Sequence, residues 1–249
     1  MNATINYLGV FLIGVLAAGI GATVGGGGLL SIPFLIWAGL PPQIAIATNR
    51  FGSVGLSVGA LAKFSKERRV VWRYVISFTL ISMAGGYLGA RILLAVDEKL
   101  LSKIVGAVLL GLLPFIILQK DMGVVRTVVK KGREVLGYLA YFVVSIWGGF
   151  FAGGAGIFNR YIYTYFFGLT MVEASATNKI PWIVSSLVVL ATFIYNDVVH
   201  YGYGVTLFIG MLVGGYLGAH WAVKKGDLWV KRAFVVFVLI SAAQLIFFS

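Results

Sequence analysis

The chain has 249 residues, 60% of them hydrophobic and only 11% charged, with a mean hydropathy of +0.97. Soluble domains carry about 25% charged residues, so a water-soluble globule is excluded and the class is integral membrane. The formal net charge of +12 does not point to nucleic acid, because no recognition motif is present and Lys and Arg collect in the cytoplasmic loops of membrane proteins.

The first residues carry no Lys or Arg, unlike the basic start of a cleavable signal peptide. Residues 7–24 are therefore read as a mature apolar helix, which Gly25-Gly26-Gly27-Gly28 breaks, since four successive glycines carry a large helix penalty. An apolar arm over 29–38 follows, then a turn at Gly39-Leu40-Pro41-Pro42. Helices are predicted over 43–64, 74–96 and 100–118, with a kink at Pro114 in the last. Residues 120–134 form a polar linker between a first repeat, 1–119, and a second, 135–249. The second half runs over 135–152, a glycine break, an arm over 157–167, and helices over 172–195, 203–223 and 228–248. The period-two alternation of a membrane barrel is absent, so the fold is all-α.

The division into halves rests on a repeat. Ala47-Thr48-Asn49-Arg50 returns 129 positions later as Ala176-Thr177-Asn178-Lys179. The same offset pairs Gly39-Leu40 with Gly168-Leu169, and Gly85-Gly86-Tyr87-Leu88-Gly89-Ala90 with Gly214-Gly215-Tyr216-Leu217-Gly218-Ala219. It also sets the first glycine cluster against Gly154-Ala155-Gly156. Loop charge then fixes topology. Lys63, Lys66, Arg68, Arg69 and Arg73 follow one helix, whereas the matching loop in the second half, 195–203, has no Lys or Arg. The reverse holds for the next pair, where Lys224, Lys225, Lys231 and Arg232 face a nearly balanced 97–103. Matching loops of opposite bias imply two inverted repeats of about five helical segments each, with glycine-broken hairpins meeting near the midplane. Both termini are then outside, and most of the 20 basic residues are cytoplasmic. The rival drawing, eight helices in two parallel halves, leaves the basic-free loop inside and fits this rule worse.

Arg50 lies about eight residues into its helix, so roughly 12 Å deep at ~1.5 Å per residue, and Lys179 is equally deep from the other side. A cation at a membrane-helix centre costs about 2.5–3.5 kcal/mol, so two at matched positions need a reason. One reason is an anion site between the halves. Arg50 and Lys179 would supply charge, Asn49 and Asn178 amide donors, and the breaks at Gly26, Gly27, Gly28, Gly154 and Gly156 free backbone N–H groups from arms starting near Leu29 and Ile157. The other is that each cation hydrogen-bonds the broken backbone and locks the fold. Arg160, a few residues past the second break, either reaches the site or snorkels to an interface. Thr48, Thr177, Ser53 and Ser185 are candidate lining, though hydroxyls often bond their own helix. The Gly-Gly-Tyr-Leu-Gly-Ala elements read as helix packing, Glu173 as a helix-dipole partner, Asp197 and His200 as solvated, and the aromatic run over 161–167 as an interface belt. No paired intramembrane carboxylates, metal-ligand spacing or nucleophile–base set occurs. A cation pump, a metal site, a cofactor and an enzyme are not expected.

These motifs give the chain a resemblance to the sulfite exporter TauE/SafE family of membrane transporters. They are Gly21 to Gly28 with Pro33, Gly39-Leu40-Pro41, Ala45 to Asn49, and the second copies at Gly148 to Gly156 and Gly168 to Lys179. The resemblance implies movement of sulfite, thiosulfate, sulfoacetate or related sulfur-containing anions across the plasma membrane, outward, with proton coupling as an option. The second copy has Ile162 where the first has Pro33, and it adds Asn159-Arg160, so the half-sites are not equivalent. A channel, an uptake system, and a scaffold whose cations bind membrane lipid stay open as alternatives. So does oligomerisation.

Overall fold

The computed structural model describes residues 3–23, 25–97 and 131–248. The predicted helix over 100–118, its Pro114 and most of the linker lie outside these. Among the described residues there are helices and no strands. We number them α1 (Ala3–Thr23), α2 (Gly28–Trp37), α3 (Pro42–Lys66), α4 (Trp72–Ala95), α5 (Lys131–Phe150), α6 (Ala155–Phe167), α7 (Met171–Thr177), α8 (Lys179–Tyr195) and α9 (Tyr201–Phe248). Five stretches are long and apolar enough to cross a membrane: Asn6–Thr23, Pro42–Lys66, Trp72–Ala95, Met171–Tyr195 and Tyr201–Gly226. Their outer faces carry apolar stripes at helical spacing, such as Leu8, Leu12 and Leu16 on α1 and Ile76 and Leu80 on α4, all more than half exposed. That is a surface for lipid, and the protein is a multi-pass membrane protein.

Local chemistry explains most boundaries. Pro42 opens α3 at its first position, where the missing N–H costs nothing. Thr170 and Glu173 form a reciprocal capping box at the start of α7, which gives Glu173 a more specific role than a dipole partner. α5 begins at Lys131, inside the predicted linker. The helix predicted over 172–195 is interrupted at Asn178, three residues before Pro181, whose ring nitrogen cannot donate back to the preceding turn. α9 is interrupted in turn at Gly226, which takes φ 77°, close to the boundary expected between 223 and 228.

Both glycine breaks form. The described residues between α1 and α2 are 25–27, and those between α5 and α6 are 151–154, where Ala152 and Gly154 take φ 65° and 75°. Gly28 and Gly156 are already helical. The arms beyond the breaks have 10 and 13 residues, about 15 and 20 Å at ~1.5 Å per residue, so each is too short to cross a hydrocarbon core of about 30 Å. The two breaks touch: a Cβ on Gly156 would stand 2.5 Å from the Gly25 carbonyl oxygen.

The long helices pack in two parallel groups. Tyr7 stacks edge-on against Tyr203, Gly14 faces Leu207 and Gly210, and Gly218 faces Gly19, so α1 runs alongside α9 in the same direction. α3 runs with them, since Gly52 faces Leu207 and Gly59 faces Leu212. In the second group α4 runs with α5, as Tyr74 bonds Glu134 and Gly89 faces Ile146. α8 joins that group through the Ser185 hydroxyl, which donates to the Ser82 carbonyl at 2.8 Å. The first helix of each half thus packs on the other half. Gly85 and Gly89, with Gly214, Gly215 and Gly218, sit at these contacts, where side chains would strike the neighbouring backbone, and at Gly86 a side chain would strike Ser185 and Val189 of α8.

The aromatic run is not an interface belt. Tyr163 and Phe167 are buried in a ring cluster with Phe78, Tyr74, Tyr138 and Tyr141, and Phe78 stacks on Tyr163 at 4.2 Å. Only Tyr165 points out, under the Arg133 guanidinium. The run is amphipathic, and its inner face is the core between α4, α5 and α6.

Candidate functional site

Helical spacing gathers the polar side chains of α3. Asn49, Ser53 and Ser57 are four residues apart and share one face, and all three line a cavity at the centre of the molecule. Ser175, Asn178, Lys179 and Trp182 do the same from α7 and α8. The third wall is backbone from the breaks: Gly25, Gly27, Gly28, Ala152 and Gly156, with Arg160 from α6. The cavity holds about 50 Å³ of space open to water-sized spheres, where one water needs roughly 10–15 Å³. A small oxyanion stripped of most of its water fits; a nucleotide does not.

The lining is rich in donors. Lys179 and Arg160 are cations, and no Asp or Glu is among the lining residues. Arg160 is buried, donating through Nε to Ser175 Oγ at 2.6 Å and through Nη2 to the Ala22 carbonyl at 3.1 Å, while its Nη1 has no partner. That free nitrogen lies against Gly25, where any Cβ would meet it. Lys179 is 4% exposed and donates no hydrogen bond to a described residue. The Asn49 carbonyl oxygen accepts the Ser31 hydroxyl at 2.5 Å, and that of Asn178 accepts from Asn159 Nδ2 at 3.3 Å and the Tyr163 hydroxyl at 3.2 Å. With both oxygens taken, the two NH2 groups are the ends left for the cavity. A buried cation without a counter-charge costs several kcal/mol, and two in one cavity repel each other as well. An anion there removes both penalties.

Several sequence candidates sit elsewhere. Arg50 is 1% exposed but does not line the cavity. Its Nη2 donates to the Gly148 carbonyl near the end of α5, its Nη1 to Ser186 Oγ at 3.4 Å, and its guanidinium lies 5.0 Å over the Trp182 ring. Thr48 and Thr177 accept backbone N–H groups, from His200 at 3.0 Å and Val71 at 2.9 Å. These bonds are repeat mates, since His200 follows Val71 by the same 129 positions, and each threonine caps a helix of the other half. His200 is thereby part of a helix start, with Nδ1 accepting from the Tyr203 N–H at 3.1 Å, rather than a solvated singleton. Gly26 and Gly154 lie in the breaks and accept the N–H of Leu29 and Ile157, at 2.9 Å each, so those two amides are not free for a ligand. Ser185 bonds α4 instead of the cavity. Ser57, Ser175, Trp182 and Met211 join the lining unannounced. For the two serines a signal existed, because each falls on the motif's own helix face.

Short broken arms, crossing glycine segments and a buried cation-lined cavity among membrane-spanning helices define a polytopic membrane protein with a central polar site. Residues 10–245 match the family described as sulfite exporter TauE/SafE, so the chain belongs to that family and is a membrane transporter. It is 24% identical over 248 residues to a "Probable membrane transporter protein" of Haemophilus influenzae, covering 99% of this chain and 97% of that one. It is 26% identical over 243 residues to the "Probable membrane transporter protein YfcA" of Escherichia coli, covering 97% and 90%. A "Probable membrane transporter protein ORF9" of Sinorhizobium sp is 24% identical over 237 residues, 95% of this chain and 91% of the relative. No solved structure matches the chain.

Proposed function

We propose that the protein is a secondary transporter that exports small sulfur-containing anions, of the sulfite, thiosulfate or sulfoacetate kind, across the plasma membrane. The observation that carries this reading is the buried cavity with two cations, two asparagine amides and no carboxylate in its lining. Lys179 and the free Nη1 of Arg160 neutralise the anion, and Asn49 and Asn178 orient its oxygens. The family description supports sulfite-like cargo and outward movement.

An inverted-repeat architecture is part of the proposal. α1, α3 and α9 share one direction, and α4, α5 and α8 share one direction. The link from α3 to α4 spans only residues 67–71, so two membrane-crossing helices so joined run oppositely. α1 then opposes its mate α5, and α4 opposes α9. The ends of α3 and of the first part of α9 carry Lys66, Arg68, Arg69, Lys224 and Lys225, all exposed, which favours the cytoplasm for that face.

The test is uptake of labelled sulfite, thiosulfate and sulfoacetate into proteoliposomes, comparing the natural protein with Lys179→Gln and Arg160→Gln. Saturable flux that both folded variants lose is the expected result. Unchanged flux in folded variants removes the anion from this cavity, and flux that never saturates makes the protein a channel.

A further inference from the structure

The repeat makes Arg50 and Lys179 equivalent in sequence, yet they are in different states. Arg50 is clamped by the other half, through the Gly148 carbonyl, the Ser186 hydroxyl and the face of Trp182. Lys179 stands in the cavity with no such clamp. The mates of Gly148 and Ser186, by the same offset of 129, are Gly19 and Ser57. Ser57 is fully buried, lines the cavity, and its hydroxyl has no partner. An orphaned buried hydroxyl is uncommon and costly, and this one lies where the second half of the molecule has a filled cation site.

We infer that Arg50 and Lys179 exchange roles during transport, one acting as a plug bonded to the opposite half while the other is the anion's ligand. In the present conformation Arg50 is the plug and Ser57 is the empty socket. In the alternate conformation Lys179 moves onto the Ser57 hydroxyl and the Gly19 carbonyl. Arg50 leaves Gly148 and Ser186 and faces the cavity. The two conformations are the same packing with the halves interchanged, and anion binding favours whichever cation is free. The halves are not equal in strength: Arg50 has a forked donor set and Trp182 beneath it, where Lys179 has a single nitrogen and Ser53. The conformation with Arg50 clamped is the resting one. This inference rests on the transporter reading above.

The chain contains no cysteine, so Ser57→Cys and Ser186→Cys each provide a sole thiol in the full-length protein. Their rates of reaction with the small anionic reagent 2-sulfonatoethyl methanethiosulfonate, in proteoliposomes, report which socket is open. The S57C thiol should react about tenfold faster than the S186C thiol, the bias expected from one charge-assisted hydrogen bond. Arg50→Ala should speed S186C and slow S57C, and Lys179→Ala should do the reverse. Arg50→Lys, which keeps the charge and loses the fork, should act as Arg50→Ala does but less strongly, and it serves if the alanine variant does not fold. A structural role alone moves both thiols in the same direction in every variant. That result, or equal rates for the two thiols in the unaltered background, overturns the exchange. The readout needs no transported anion. Absent flux for every sulfur anion defeats the proposed cargo while leaving opposed thiol rates intact, and saturable flux with thiol rates that move together defeats the exchange alone.

Discussion

Arg160 has no cationic mate in the first half, where Ser31 holds the equivalent position, and it ties the site together. It joins Ser175 on α7 to the end of α1 at Ala22 and still has one nitrogen unpartnered. Arg160→Gln should lower anion affinity about tenfold or more and cost about 1–3 kcal/mol of stability, because buried partners are left unpaired. Isothermal titration and thermal unfolding in detergent separate the two effects. Arg160→Lys should recover part of the affinity and little of the stability, since the charge returns without the fork. Thr48→Val and Thr177→Val should each cost about 1 kcal/mol, as lost helix caps do, and leave anion affinity unchanged. Equal losses measured by unfolding would identify them as repeat mates. At this scale the sequence was partly legible. The depth and recurrence of Asn49 and Asn178 marked the cavity, and Lys179 with them. The sequence left two readings for Arg50 and Lys179, anion ligand or bond to the broken backbone, and could not divide them between the two residues, because a repeat in sequence fixes equivalence and not which copy is engaged. The threonines read as lining because a hydroxyl's partner from another helix leaves no local trace.

Among the elements, the crossing of the two breaks is the most constrained feature. Gly25 takes φ +95°, where L side chains are strained, and a Cβ there would meet both Arg160 Nη1 and Gly156. Gly25→Ala should therefore abolish anion binding, read by titration, with loss of thermal stability. Gly132, near the start of α5, is the control. Nothing lies within 4 Å of a Cβ built there, so Gly132→Ala should raise stability by about 0.5–1 kcal/mol through helix propensity. The breaks were legible because glycine clusters oppose helix wherever they occur. Their limits were not, since Gly28 and Gly156 are helical while Ala152 takes φ 65°. The interruption at Asn178 had a visible cause in Pro181, but the apolar periodicity on both sides concealed it.

For the whole molecule the charge pattern makes a prediction about sidedness. Glu67, held beside Lys63 at 2.7 Å, is in the basic loop, and Asp197 is in the loop without Lys or Arg. Both are exposed. Glu67→Cys should react with an impermeant maleimide only in inside-out vesicles, and Asp197→Cys only in right-side-out ones. Reaction of both from one side would refute the inverted halves. The positions of most described helices were readable from hydropathy and the 129-residue offset, although the predicted 172–195 is split at Asn178 and the predicted 203–223 and 228–248 join in α9. Their pairing was not: the Gly-Gly-Tyr-Leu-Gly-Ala elements read as helix packing, but nothing in the sequence says which helix lies against them, α5 on Gly89 and α1 on Gly218.

That exchange of partners sets a timetable for synthesis. α1 is made well before the helix it needs, α9, which begins at Tyr201. At about 5–20 residues per second, Gly14 and Gly19 remain without their neighbours for roughly 10–40 seconds. During that interval the nascent first half is a membrane-inserted chain with a bare seam of small residues, and it depends on the translocation machinery or on lipid to keep that seam from a wrong partner.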